Sequence, residues 1–154
     1  MRWRRSFVQT FLEHRVEGLI YVAEYHREVA LPPIAGGLPT VLVNCFDAAG
    51  TPALVPDDEG VEYAAVAGLV ERGHRRIGFL TLPERQVARA LRLAGYRRAL
   101  EAAGIAYDPA LVLTGALMDP AHEFDFLWDG LDRLLTLAEP PTAICCGNDK
   151  MALR

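Results

Sequence analysis

The stretch "DDEGVEYAAVAGLVERGHRRIGFLTL", residues 57–82, decides the fold because it leads from a helix into an apolar strand through one short connection. Asp57 or Asp58 suits the N-cap of a helix that ends in "LVERG", and Gly73 suits the residue that stops it. The run "RRIGFLTL" then predicts a strand. A helix followed directly by such a strand is half of a βαβ unit, and these units build parallel sheets.

The same alternation of helix and strand continues after residue 82. A helix is predicted from about Val87 to Ala103, closed by Gly104. The strand "ALVLTGAL" follows, and Asp119 with Pro120 begins the next helix. One face of that helix carries apolar residues at the helical period, namely Phe124, Leu127, Leu131, Leu134, Leu135 and Ala138.

Strands and helices alternate at both ends of the chain as well. "PTAICCG" predicts a strand, and Asn148 or Asp149 caps the helix after it. Before residue 57, "SFVQTFLEH" has helical spacing, and "GLIYVA", "PTVLVNC" and "PALV" predict strands. The prolines and glycines of "EYHREVALPPIAGGLP" predict that any helix between the first two strands is short.

A passage with Pro and Gly at about residues 48–56 separates two alternating patterns, as a boundary between two lobes does. We therefore expect one unit at residues 1–55 and a second at 56–154. Both belong to the α/β class, with parallel sheets covered on both faces.

Composition and charge restrict the class of protein. The chain has 154 residues, 51% hydrophobic and 23% charged, which is typical of a globular protein. Its net charge of −4 argues against a nucleic-acid surface within the chain itself. The longest apolar run, "YAAVAGLV", is too short to span a membrane, and "MRWRRSFVQTFLEH" lacks the apolar region of a signal peptide. We expect no membrane partner and a cytoplasmic location.

The sequence offers no clear disulfide framework, metal site or nucleotide-binding motif. Cys45, Cys145 and Cys146 match neither a disulfide framework nor a metal-ligand spacing, and are expected to be small buried apolar residues. The acidic run Asp57–Glu59 suits a helix N-terminus without any metal. Because the sequence has no GxGxxG or P-loop pattern, no nucleotide cofactor is predicted.

Arg92, in "ALRLAGYRRAL" at residues 90–100, differs from its neighbours Arg97 and Arg98. At 100° per residue Arg97 points away from Arg92, on the side of Glu101, and is expected to be solvated, while Arg98 lies on the other flank. Arg92 instead lies within a small, mostly apolar stripe, made of Ala88, Gly95, Tyr96, Ala99 and Ala103. A buried guanidinium needs a partner, which is either a ligand or an internal carboxylate.

Three polar residues lie at strand ends or close behind them: Asn44, Arg92 and Asn148. In open α/β sheets ligands bind beyond the carboxyl ends of the strands. Asn both donates and accepts hydrogen bonds, and Arg offers a planar fork of donors, so together they suit a neutral, hydroxyl-rich ligand or a small anion. Two local roles remain open, because Asn148 could only cap its helix and Asn44 could only satisfy a loop.

The hypothesis that the protein is an α/β enzyme would assign the catalytic role to His74 or to the Asp57–Glu59 cluster. His74 lies in a connection between helix and strand, and a lone loop histidine is more often structural than catalytic. No Ser or Cys nucleophile partners it, and no nucleophile, base and orienting group fall together. We therefore expect no enzymatic activity and no catalytic or metal-binding residues.

Five segments resemble, in order and spacing, the effector-binding core of the LacI/GalR family of bacterial transcription regulators: "VEGLIYV", "PTVLVN", "LVERGHRRIGFLT", "RLAGYRRALEAAGI" and "PPTAICCGNDKMAL". The resemblance implies a periplasmic-binding-protein-like type I core of two Rossmann-like lobes, both incomplete in this chain, with a small-molecule effector between them, usually a sugar or nucleobase. It also implies effector contacts for Arg92, for Asn148 and for Asn44.

The resemblance implies operator DNA as a second partner, bound by homodimers through an N-terminal helix-turn-helix. We expect that head to lie outside this sequence, which would then be a sensing fragment without chemistry of its own. The alternative with the same fold is a periplasmic-type solute-binding protein of a sugar transporter.

Overall fold

The computed structural model describes residues 2–32, 37–115 and 123–153. The chain forms two compact units, Met1–Pro56 and Asp57–Arg154, each with its own sheet. None of the described helices is long and apolar enough to cross a membrane.

The first unit contains α1 (Arg2–Glu13), β1 (Leu19–Glu28), β2 (Thr40–Phe46) and β3 (Ala53–Leu54). The strands pair in parallel in the order β1-β2-β3, so the predicted strands are confirmed. Strand β1 continues to Glu28, beyond the predicted "GLIYVA", because Arg27 and Glu28 pair with Cys45 and Phe46 of β2. His26 is buried and packs edge-on against Phe46, with ring centroids 5.7 Å apart.

The sheet of the first unit buries a small core and leaves apolar side chains accessible. Ala23, Leu42 and Cys45 are buried in that core. Ile20 is 75% exposed, and Val22 and Leu54 are also largely exposed. Exposed apolar side chains on a sheet of this kind provide little burial energy, so the first unit has less hydrophobic stabilisation than its composition would allow.

The second unit holds the remaining elements, and its sheet has the parallel order β5-β4-β6. These elements are α2 (Asp58–Glu71), β4 (Ile77–Thr81), α3 (Val87–Ala102), a 3₁₀ helix (Pro109–Leu111), β5 (Val112–Thr114), α4 (Glu123–Leu135), β6 (Ala143–Cys146) and α5 (Asp149–Ala152). All residues of the central strand β4 are buried. The predicted start of a helix at Asp119 and Pro120 lies outside the described residues.

The predicted caps of α2 and α3 are confirmed. The side chain of Asp57 accepts a hydrogen bond from the backbone N–H of Gly60 at 2.9 Å, which satisfies one of the free donors of the first turn of α2. Gly73 and Gly104, which follow the two helices, have φ angles of +93° and +67°. Only glycine adopts this left-handed conformation without a steric cost, and it ends both helices.

The core of the second unit comprises two clusters, one containing Leu80 and the other Ile77 and Phe79. Successive strand residues point to opposite faces of a sheet, so β4 supplies side chains to both clusters. Tyr96 of α3 stacks on Phe79 with ring centroids 5.2 Å apart, and its hydroxyl donates to the carbonyl oxygen of Ile77 at 2.8 Å. This contact holds α3 against the sheet.

Helices α2 and α3 pack closely at Gly95. A Cβ atom at this position would overlap the carbonyl oxygen of Glu59 and lie 3.0 Å from the backbone nitrogen of Tyr63. Both of these atoms belong to the backbone of α2, so they move only if the whole helix shifts. The lack of a side chain at Gly95 therefore sets the distance between the two helices.

We expect Gly95→Ala to lower the free energy of unfolding by about 1 to 3 kcal/mol, because the added methyl group overpacks the contact between the helices. The measurement is urea unfolding followed by circular dichroism.

Gly68→Ala is the matched control for this substitution. The atom nearest to a Cβ at Gly68 is the end of the flexible Arg72 side chain, which can move away. Since alanine is the better helix former, this variant should be unchanged or more stable by up to about 1 kcal/mol. Equal behaviour of the two variants would contradict the role given to Gly95.

Candidate functional site

The carboxyl-terminal edge of the sheet in the second unit brings three chain segments together. Helix α3 follows β4, and the backbone N–H of Gly147, just after β6, donates to the carbonyl oxygen of Leu80 at 2.7 Å. Helix α2 precedes β4 and runs antiparallel to it, so the N-terminus of α2 lies at the same edge. Parallel sheets bind ligands at this edge, where loops and helix N-termini converge.

Arg92 connects these three segments. Its Nε donates to Oδ1 of Asp58 at 2.8 Å, its Nη2 lies 2.7 Å from the same oxygen, and its Nη1 donates to the carbonyl oxygen of Gly147. Asp58 is only 2% exposed, whereas the Arg92 side chain is 25% exposed. The guanidinium therefore has an internal carboxylate as its partner, one of the two alternatives that the sequence left open. Its contact with a ligand stays a prediction.

The predicted stripe around Arg92 is buried as expected. Ala88, Gly95, Tyr96 and Ala99 are buried, and Ala103 is half-buried. None of these residues can neutralise a guanidinium, and the neutralising group comes from the neighbouring helix. Sequence spacing within one helix does not indicate such a partner.

Arg97 is exposed, as predicted, and its guanidinium carbon lies 4.3 Å from the centre of the Tyr107 ring. It is thus a solvated arginine that rests on an aromatic ring and has no contact with Asp58. Arg97 therefore serves as a natural control for Arg92, because the two residues share a helix and a charge but differ in their surroundings.

Each acidic residue of the Asp57–Glu59 run has its own local role. Asp57 caps α2, Asp58 pairs with Arg92, and Glu59 pairs with the exposed Arg98. Among the described residues, no group of three or more His, Cys, Asp or Glu side chains could hold a metal ion.

Glu62, one turn after Asp58 on α2, is a buried acid that the sequence analysis did not single out. It is 5% exposed, and its Oε1 has no hydrogen-bond partner within the described part of the chain. Burial raises the pKa of Glu62 to about 7, although the Cys145 thiol, which hydrogen-bonds the carboxyl group, and the charge of Arg92 both lower it. The signal that could have found Glu62 is its spacing of four residues from Asp58, which places both carboxyl groups on one face of α2.

The cysteines agree with their predicted structural role. Cys45 and Cys145 are buried, Cys146 is half-buried, and all three are free. Burial, together with the nearby Glu62, raises the pKa of both Cys145 and Cys146. Both groups are therefore protonated thiols at neutral pH, which lack the reactivity of a thiolate.

Asn148 is the N-cap of α5. Its Oδ1 accepts a hydrogen bond from the backbone N–H of Met151 at 2.9 Å. The capping role that the sequence left open is thus present. Its amide N–H groups donate to no described residue, and Asn148 directly follows Gly147, whose carbonyl oxygen binds Arg92. Arg92 and Asn148 therefore lie at the same edge of the sheet.

Asn44 belongs to the first unit and lies inside β2, which continues two residues beyond it to Phe46. The pairing of β1 with β2 shifts register here, so that Ala23–His26 lie opposite this single residue. Asn44 has a φ angle of +57° and donates from Nδ2 to the carbonyl oxygen of Ala23 at 3.1 Å. Asn tolerates this left-handed backbone well, which explains its position at the irregularity. A ligand contact by Asn44 stays a prediction.

His74 lies near the amino-terminal end of β4, away from Arg92. Its Nδ1 is 3.0 Å from the hydroxyl oxygen of Thr142, and the backbone N–H of Thr142 donates to the carbonyl oxygen of Arg76. His74 thus links the segments that enter β4 and β6, which is a structural role.

Comparison with known families gives a match to the periplasmic binding protein-like domain over residues 66–154, more than half of the chain. The chain belongs to this family. The predicted fold class, α/β with parallel sheets of the periplasmic-binding-protein-like type, is confirmed.

Individual relatives are regulators of the LacI type. The chain is similar to the HTH-type transcriptional repressor PurR of Haemophilus influenzae, with 29% identity over 97% of this chain and 44% of the relative. A putative LacI-family regulator from Rhizobium etli has a TM-score of 0.84 and 29% identity, over 99% of this chain and 55% of that one. A sugar-binding LacI-family regulator from Escherichia coli, in complex with phosphate, has a TM-score of 0.72 and 25% identity, over 97% of this chain and 53% of that one. The chain therefore spans about half the length of the proteins it matches.

The raised pKa of Glu62 predicts a specific pH dependence of stability. The folded chain holds this proton up to about pH 7, whereas the unfolded chain releases it near pH 4.5. Stability is therefore lost as the pH rises between these values. We therefore compare the free energy of unfolding of the unmodified chain with that of Glu62→Gln. The difference, unmodified chain minus variant, should fall by about 2 to 3 kcal/mol from pH 5 to pH 8.

Urea unfolding of both proteins at several pH values checks this expectation. Glu71→Gln makes the same change at an exposed position of the same helix and should leave the pH profile as it is in the unmodified chain. A constant difference between the unmodified chain and Glu62→Gln across this range would show that Glu62 is not a buried titrating group.

Proposed function

We propose that this chain is the effector-sensing part of a LacI-type bacterial transcription regulator, without chemistry of its own. The observation that carries the proposal is that Arg92 and Asn148 lie at the carboxyl-terminal edge of a parallel sheet, in a chain of the periplasmic binding protein-like family. Sheets of this kind generally bind ligands at that edge. The repressor and regulator names of its relatives favour this function over transport. A regulator of this kind acts in the cytoplasm.

The effector that best fits the site is a sugar or a related small molecule. Arg92 uses Nε and one N–H of each Nη in its internal contacts, which leaves one N–H on Nη1 and one on Nη2 for a ligand. Asn148 adds amide donors beside them. Sugar hydroxyls accept from such donors, and one of the similar regulators is described as sugar-binding.

In this proposal the two units are partial N-terminal and C-terminal lobes of the effector-binding core. Effector binding shifts the population between two arrangements of the complete regulator. Operator DNA is bound by a head outside this sequence, and the complete regulator is a homodimer. The coding sequence upstream of codon 1 tests this: an in-frame helix-turn-helix supports the proposal, whereas a secretory signal peptide would instead support a solute-binding protein.

We expect Arg92→Ala, made in the complete reading frame to which this sequence belongs, to abolish induction by the effector while operator binding persists. Loss of a buried, charged donor weakens binding by about 2 to 5 kcal/mol. Lysine at position 92 should restore little, because a point charge does not reproduce the planar fork. The measurement is a reporter assay with a panel of neutral sugars.

Two further variants control for folding and for charge. Arg92→Ala leaves Asp58 buried without a counterion, so the double variant Asp58→Asn with Arg92→Gln removes both charges and should also lose induction. Arg97→Ala removes an exposed arginine from the same helix and should behave as the unmodified protein. If Arg92→Ala and Arg97→Ala were equally inducible, Arg92 would have only a structural role.

We expect the 154-residue chain alone to form no sequence-specific complex with duplex DNA. Its net charge is −4, and specific binding needs phosphate neutralisation and groove contacts that an acidic core does not supply. A gel-shift titration at physiological salt, with the operator and a scrambled duplex, provides the measurement. A complex specific to the operator would overturn the assignment of DNA binding to a separate head.

A further inference from the structure

The environment of Arg92 contains more carboxyl groups than guanidinium groups. Asp58 and Glu62 are one turn apart on α2 and are both almost fully buried, and both interact with Arg92. The local charge is therefore zero when Glu62 carries a proton and −1 when it does not. In either state Arg92 is already neutralised by the protein before any ligand arrives.

The pair occupies one of the two-donor edges that arginine offers to an anion, the edge formed by Nε and Nη2. Carboxylates and phosphates bind the guanidinium best through two parallel N–H groups. In this chain Oδ1 of Asp58 takes the N–H groups of both Nε and Nη2, and the carbonyl oxygen of Gly147 takes one from Nη1. An anionic ligand would have to displace a buried carboxylate or lie beside it, and both cost free energy.

A neutral ligand meets no such obstacle. The Arg92 side chain is still one-quarter exposed, and the two N–H groups outside these contacts can donate to hydroxyl oxygens. Asp58 also limits the rotation of the guanidinium, because two of its nitrogens are held on one oxygen. The N–H groups that remain are thereby kept in a defined direction, which reduces the entropy lost on binding.

We propose that Asp58 determines the charge class of the effector: by occupying Arg92 it excludes anionic ligands such as phosphorylated sugars and orients the guanidinium for uncharged, hydroxyl-bearing ones. The inference rests on the proposed function, in which Arg92 contacts the effector. Glu62 supports the same selection, because it is a second buried carboxyl group whose charge interacts with Arg92.

Inorganic phosphate, titrated into the 154-residue chain, tests the proposal through a gain of binding. The unmodified chain should bind phosphate only weakly. The double variant Asp58→Asn with Glu62→Gln leaves Arg92 without a counterion and should bind phosphate at least tenfold more tightly, measured from Arg92 Nε–H chemical shifts in NMR spectra. The further change Arg92→Gln should remove this gain.

Two variants separate this effect from general changes of charge and from misfolding. Glu59→Gln removes one negative charge next to Asp58 but frees only the exposed Arg98, so it should bind phosphate as the unmodified chain does. Asp58→Asn alone preserves the shape of the side chain and removes only the charge that pairs with Arg92. This single variant should bind phosphate more tightly than Glu59→Gln. Circular dichroism shows whether each variant is folded.

Two results would overturn the proposal: phosphate binding at Arg92 in the unmodified chain as tight as in the double variant, or a folded Asp58→Asn chain that binds no more tightly than Glu59→Gln. The proposed function fails by a different observation, unchanged induction in the Arg92→Ala regulator. The phosphate titration needs neither DNA nor the natural effector, so the two failures are distinguishable.

Discussion

The pairing of the half-buried Arg92 with the buried Asp58 is the interaction on which the carboxyl-terminal edge of the second sheet depends. A guanidinium and a carboxylate that are removed from water must pair with each other. Without that pairing, the free energy needed to bury either charge exceeds the free energy gained from packing. This pair also includes the carbonyl oxygen of Gly147. It therefore joins the first turn of α2, the second turn of α3 and the segment just after β6, and it fixes the direction of the remaining N–H groups of Arg92.

Close helix packing makes that pairing possible. Because Gly95 has no side chain, the backbone of α3 approaches the backbone of α2 near Glu59, within one residue of Asp58. On the other side, Tyr96 stacks on Phe79 and holds α3 against the central strand. Packing and electrostatics are thus coupled, since the contact that sets the distance between the helices also brings the carboxylate within reach of the guanidinium. Glu62, buried by the same packing, acquires its raised pKa as a consequence.

The sequence predicted much of the local structure because short-range patterns control it. Helices α2 and α3 begin and end near the predicted residues, since caps such as Asp57 and the left-handed glycines Gly73 and Gly104 act locally. The predicted strands were too short where the chain continues past polar residues: β1 extends to Glu28, and β2 continues past Asn44 to Phe46. In both cases pairing with the neighbouring strand satisfies the backbone, and that pairing is not visible in the segment itself.

What the sequence by itself determined is the α/β class, the parallel alternation, the buried stripe of α3 and the distinction between Arg92 and Arg97. These follow from helical and strand periodicity, which depend only on neighbours along the chain. The tertiary structure alone decided that Asp58 is the counterion of Arg92 and that Glu62 is a buried acid beside it. Arg92 is 34 residues from Asp58, and the two meet only because β4 places α2 and α3 side by side. A charge pair of this kind depends on distance in space, which periodicity does not encode.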